Sequence, residues 1–121
     1  MTTQEVANRY CQLAKENNWA AILDELCSPE LLNREPEHVI ARGITITTHG
    51  LDKVKAKGIA NRAMIEEIHS QHCSAPLVAG NFFTVVLSRD ITFKGKPRMH
   101  LEEIAIFEIK EGKIIVEQFF Y

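Results

Sequence analysis

Cysteine is scarce and odd in number, with only Cys11, Cys27 and Cys73 in 121 residues. No CxxC or metal-ligand spacing links them, which excludes a disulfide scaffold and points to reduced thiols in an intracellular protein. Glycine (6) and proline (4) are equally few. Neither gathers into a linker or low-complexity tract, and no glycine-rich phosphate loop is present. The longest apolar runs, such as Phe82-Phe83-Thr84-Val85-Val86-Leu87, are too short to span a bilayer. The opening Met1-Thr2-Thr3-Gln4-Glu5 lacks the charged-then-apolar pattern of a leader. With a net charge of −2 and no basic block, nucleic acid and anionic membrane are poor candidates for partners. These absences lead to an expectation of cytoplasmic localisation.

The chain is of a size for one domain, residues 1–121, able to bury a core without staples. Thr2 and Glu5 have capping-box spacing at the head of a helix expected over 3–17, with Val6, Tyr10, Leu13, Ala14 and Asn17 on one face. Asn17-Asn18 breaks it. Trp19, Ile22, Leu23 and Leu26 form a second stripe that Ser28-Pro29 stops. Residues 33–50 read as irregular, with a short strand at 44–47. A third helix is expected over about 51–70, on a stripe of Ala56, Ile59, Ala60, Ala63, Met64 and Ile68. After Ala75-Pro76 come strands at about 77–93, 97–109 and 113–120, with turns at 94–96 and Glu111-Gly112. Helices first and antiparallel strands afterwards predict an α+β domain.

Loop lengths fix the register of the strands. A two-residue turn at Glu111-Gly112 sets Ile109 opposite Ile114, Phe107 opposite Val116, Ala105 opposite Gln118 and Glu103 opposite Phe120. A three-residue turn at 94–96 sets Ile91 opposite Met99, Val85 opposite Ala105 and Leu87 opposite Glu103. The resulting face also holds Phe83 and is expected to lie under the helices, apolar except for Glu103 and Gln118. The opposite face carries Ile104, Ile106, Ile115 and Phe119 among Glu102, Glu108 and Glu117. It is too apolar to be comfortably solvated, and a sheet-to-sheet homodimer would cover it.

Two N-terminal amphipathic helices, a third helix opening on Gly50-Leu51-Asp52-Lys53-Val54, and a closing sheet that runs from Glu103 through Glu111-Gly112-Lys113 to Tyr121 resemble the SnoaL-like domains of the nuclear transport factor 2-like superfamily. The resemblance spans nearly the whole chain. It implies a cone-shaped roll, in which a strongly bent antiparallel sheet wraps a pocket closed by three N-terminal helices. Members include isomerases, cyclases, dehydratases and non-catalytic proteins. Within the superfamily, ketosteroid isomerases are similar at Asn8-Arg9-Tyr10, where their first helix carries an oxyanion-stabilising Tyr. They are also similar at Glu35-Pro36, where an Asp-Pro carries their general base. Their third group, a protonated Asp on a late strand, falls on Ala105 here, and Glu103 stands two residues earlier on the same face.

The catalytic candidates are therefore Tyr10, Glu35 and Glu103. A carboxyl on an apolar floor is expected to resist ionisation and could donate a hydrogen bond or a proton; an ion pair with its diagonal neighbour Arg89 is the alternative. Were Glu35 to face the pocket, it could remove a proton alpha to a carbonyl while Tyr10 and Glu103 stabilise the enolate. His38, Gln118, Phe83, Trp19 and Met64 are candidate ligand contacts. No metal and no cofactor is expected, because the five histidines have no ligand spacing and His69 and His72 read as i, i+3 near a helix end. Two readings of different kinds follow. One is an acid/base isomerase, cyclase or dehydratase acting on a small apolar carbonyl compound. The other is a non-catalytic dimer holding a small hydrophobic ligand, or an interaction domain with a vestigial pocket.

Overall fold

The computed structural model describes residues 1–121. Helix α1 (Thr3–Lys15) starts on the expected reciprocal cap: Glu5 N–H donates to Thr2 Oγ1 and Thr2 N–H to Glu5 Oε1. It ends where Asn17 turns left-handed (φ 55°). A short helix α2 (Trp19–Ala21) continues into a π-helical turn, Ile22–Leu26. Strand β1 (Cys27–Arg34) follows, then a 3-10 turn (Glu37–Arg42), β2 (Thr47–His49) and α3 (Leu51–Ala63). The rest is sheet: β3 (Ile65–Cys73), β4 (Leu77–Ala79), β5 (Phe82–Phe93), β6 (Met99–Lys110) and β7 (Lys113–Phe120).

The strands form one bent, open sheet in the order β2-β1-β7-β6-β5-β3, with β4 also on β5, and the helices pack on its concave side. All neighbours are antiparallel except β1 and β7, which run parallel. The core joins Val6, Tyr10, Leu13, Leu26 and Leu31 to Phe83, Val85, Phe107 and Ile114 of the inner sheet face. Tyr10 packs edge-on to Phe83 and tilted on Phe107, with ring centroids 5.7 and 4.6 Å away.

The β5–β6 register is the expected one: Ile91 opposes Met99, Val85 opposes Ala105 and Leu87 opposes Glu103. Four expectations are corrected. Residues 65–73 are a strand, not the end of the third helix, so His69 and His72 stand on β3; their pairing with β5 overrides a weakly β-prone sequence. The expected helical stripe does not face the core either: Ile59 and Met64 are exposed, and Val54 is the buried residue of α3. Ser28-Pro29 stands just past Leu26, where the second helical segment ends as expected. It lies within β1, where the ladder to β7 is interrupted between Cys27 and Leu32 and no N–H is required of proline. The short strand is Thr47–His49 rather than 44–47.

The fourth correction matters most for the site. The Glu111-Gly112 turn has both residues left-handed (φ 52° and 74°), as a two-residue hairpin demands, and a Cβ on Gly112 would stand 2.9 Å from the Met1 nitrogen. Ile109 accordingly opposes Ile114. The next pair, however, is Glu108 with Val116, because β7 carries one extra residue there, a bulge at Ile115. From that point the faces exchange: Phe107 opposes Glu117 and Ala105 opposes Phe119, whereas Gln118 opposes Ile106 and Phe120 opposes Ile104. Glu117 and Phe119 are thus on the inner face, and Gln118 is on the outer one. The outer patch keeps Ile104 and Ile106, loses Phe119, and gains Phe120 beside Phe82, Val86 and Leu77.

Candidate functional site

Between the helices and the inner sheet face lies a cavity of about 830 Å³. Its deep wall is built from α1 (Tyr10, Ala14), β1 (Asn33), β6 (Leu101, Glu103) and β7 (Glu117, Phe119); Trp19, Ile22 and Leu23 close one side. Such a volume falls within the range of small-molecule pockets, roughly 300–1,000 Å³.

Glu117 is 6% exposed. Its Oε1 accepts a hydrogen bond from Asn33 Nδ2 at 2.9 Å, and its Oε2 has no protein partner. Burial pushes its pKa up to about 7, against the restraint of the Asn33 hydrogen bond; the charge of Glu35 pushes the same way. Asn33 in turn accepts from Lys57 Nζ at 2.8 Å, and Lys57 also donates to Glu35 Oε1 (3.3 Å) and to the Thr45 carbonyl (3.2 Å). The Tyr121 hydroxyl donates to Glu35 Oε2 at 2.9 Å. A continuous polar chain, Glu117–Asn33–Lys57–Glu35–Tyr121, therefore runs along one side of the cavity. Burial and the hydrogen bond to Glu35 raise the Tyr121 phenol.

Glu103 lines the cavity beside this chain. Burial raises its pKa, Arg89 opposes the rise, and Glu35 adds to it. Arg89 is its diagonal neighbour across β5–β6, but no ion pair within 4.0 Å joins them, and the Glu103 carboxyl accepts no hydrogen bond from the protein. Tyr10 is 2% exposed and lines the cavity; burial, then the charge of Glu117, pushes its phenol well above the ordinary value. No hydrogen bond within the protein engages its hydroxyl.

The structure thus brings Tyr10, Glu35 and Glu103 to one cavity, along with Trp19 and Met64. It does not bring in the other three expected contacts. Phe83 is buried in the core, stacked on Phe107 at 4.5 Å. Gln118 is turned outward by the bulge. His38 sits outside the lining, with its ring nitrogen Nε2 against the Tyr121 carbonyl. Glu117, Asn33, Lys57 and Tyr121 were not foreseen. Alternation along β7 gave the wrong parity for Glu117, and Lys57, which is not part of the apolar stripe expected for the third helix, reaches inward. No group of three or more His, Cys, Asp or Glu side chains is arranged to hold a metal ion.

Solved structures share this architecture. A protein from Mesorhizobium loti, assigned by way of proposal as a SnoaL-like polyketide cyclase, superposes with a TM-score of 0.90 at 24% identity, covering 100% of both chains. TerC, co-crystallised with polyporic acid, gives 0.79 at 14% identity over 98% of this chain and 90% of its own. A protein of Catenulispora acidiphila with a ketosteroid isomerase-like fold, in complex with trimethylamine, gives 0.74 at 19% over 97% and 85%. At such identities the likeness shows the fold alone. The comparison with curated proteins finds no match. The family of SnoaL-like domains, in contrast, matches residues 1–121, and the chain belongs to it.

Proposed function

We propose that the cavity binds a small, largely apolar carbonyl compound and acts on it by acid/base chemistry, as an isomerase, cyclase or dehydratase. The observation that carries this reading is Glu117: a carboxyl on the cavity wall, pushed to about 7 by burial, can hold or release a proton near neutrality. Glu103, whose oxygens are not engaged by the protein, is the group that removes a proton alpha to the carbonyl. The Glu117 acid, with Oε2 free to carry its proton, and the Tyr10 hydroxyl donate toward the oxygen that gains charge. Glu35 lines the cavity, but Lys57 and Tyr121 occupy both its oxygens, so it holds the polar chain in place rather than serving as base. That two fold neighbours were crystallised with small molecules, polyporic acid and trimethylamine, supports a small-molecule site.

The test is α-proton exchange in deuterated buffer, followed by NMR on butyrophenone and 3-cyclohexenone. Exchange faster than in buffer is expected, falling ~100-fold or more in Glu103→Gln and roughly tenfold in Tyr10→Phe. Since the Tyr10 hydroxyl has no internal partner, Tyr10→Phe should leave the melting temperature unchanged. Exchange no faster than in buffer with either probe sinks the acid/base reading. Binding without exchange identifies a non-catalytic carrier.

A further inference from the structure

The cavity segregates charge. The chain is net negative, yet seven of its fourteen Lys and Arg residues line this one cavity, facing only three acids, Glu35, Glu103 and Glu117. The two signs are also separated in depth. The carboxyls are buried or half-buried on the inner wall, whereas Arg42, Arg62, Lys94 and Lys96 are exposed at the opening and Arg89 is half-buried between. Of the seven cations elsewhere, three are paired with carboxylates: Arg9 with Glu25, Lys55 with Asp24 and Arg98 with Asp90. None of the five side chains Arg42, Arg62, Arg89, Lys94 and Lys96 has a carboxylate within 4.0 Å or donates a hydrogen bond within the protein; Lys57, deep in the polar chain, is engaged. The cations come from four separate elements: the 3-10 turn, the end of α3, β5 and the β5–β6 turn. Convergence from separate elements differs from the solvated charged face of a single helix. Met64, Phe93 and Met99 stand among them and supply apolar surface beneath the charge.

We propose that the ligand is an amphipathic organic acid, seated with its carboxylate at the opening among Arg42, Arg62, Arg89, Lys94 and Lys96 and its apolar, carbonyl-bearing body against the inner wall. The orientation follows from the charges. An anion driven to the inner wall would meet three carboxyls, whereas at the opening it meets unpaired guanidinium forks that match a carboxylate in two hydrogen bonds. Cations around a cleft with low-dielectric walls also draw an anionic ligand in from solution. This inference rests on the cavity being the binding site and names the class of compound it takes.

The test uses a matched pair, 4-oxo-4-phenylbutanoate and its primary amide, titrated calorimetrically into the native chain, into Arg62→Gln and into Lys94→Gln/Lys96→Gln. All three replaced side chains are exposed, so the fold should persist, and a melting curve of each variant checks that it does. The acid is expected to bind about tenfold or more tightly than the amide. That preference should shrink severalfold in each variant and on raising NaCl from ~20 to ~300 mM, while the amide's affinity stays put. Equal affinities, or a preference untouched by variants and salt, overturn the inference and leave the acid/base reading standing. Acid binding without proton exchange does the reverse. If neither compound binds, both fall.

Discussion

Replacing Glu117 by Gln should make the protein more stable in alkaline solution and leave it unchanged in acid. An ordinary Glu titrates near 4.5, and burial lifts Glu117 to about 7. The folded chain therefore binds this proton more tightly than the unfolded chain. Stability from this group is present below the unfolded value, declines as pH rises from about 4.5 to about 7, and stays low above that. At about 1.4 kcal/mol for each pH unit, the ionised carboxylate costs the fold roughly 3 kcal/mol. Gln keeps an oxygen to accept the Asn33 N–H and never ionises, so it escapes the cost. The assay is thermal or urea unfolding of native chain and Glu117→Gln between about pH 4 and pH 9. The other titrating groups are common to both proteins and largely cancel in the difference. Coincident curves at about pH 4 and a gap of roughly 10 °C in melting temperature at about pH 9 are expected for a chain of this length. Parallel curves across the range, or a variant less stable at about pH 9, would refute the placement of a neutral acid on the inner wall.

Two further outcomes follow from the geometry. We propose that the outer sheet face, with Phe82, Val86, Ile104, Ile106 and Phe120 exposed, pairs two copies of the chain. Sedimentation equilibrium should then find a dimer, and Ile104→Lys with Ile106→Lys a folded monomer; a native chain that is monomeric ends the proposal. Gly58→Ala in α3 should raise stability by up to ~1 kcal/mol on helix propensity. The new Cβ would stand 3.1 Å from Arg62 Nη1, and a guanidinium on a flexible stem can move aside. A lower melting temperature would show that Arg62 is held there more firmly than its exposure implies.

The parts legible in the sequence were those governed by local rules. The Thr2/Glu5 cap, the left-handed turn at Glu111-Gly112 and the three-residue turn at 94–96 set α1, the closing hairpin and the β5–β6 register, and Glu103 was placed on the inner face by counting alone. What was illegible depends on contacts distant in the chain. Ile65–Cys73 is a strand because β5 offers it a partner, and its own pattern of apolar residues fits a helix equally well. Cys27–Arg34 pairs in parallel with β7 across more than eighty residues, and its proline spoke against a strand. Glu117 was hidden by one residue of bulge, and Lys57 by the habit of reading lysine as solvated. The Glu35-Pro36 match pointed to a residue that lines the cavity, but one whose oxygens are already taken by Lys57 and Tyr121.

The bulge at Ile115 also makes the last strand a carrier of two alternative walls. Out of phase by one, the same residues would present Val116, Gln118 and Phe120 inward: an apolar surface with a single amide and no acid. In phase they present Glu117 and Phe119, with Tyr121 reaching Glu35 beyond the strand's end. Drawing Ile115 into regular pairing, with every residue kept, would thus rewrite the chemistry of the cavity without altering a side chain, whereas deleting Ile115 would leave Glu117 and Phe119 facing inward. In a fold whose members differ so widely in what they do, a shift of phase in one strand is a short route from one lining to another.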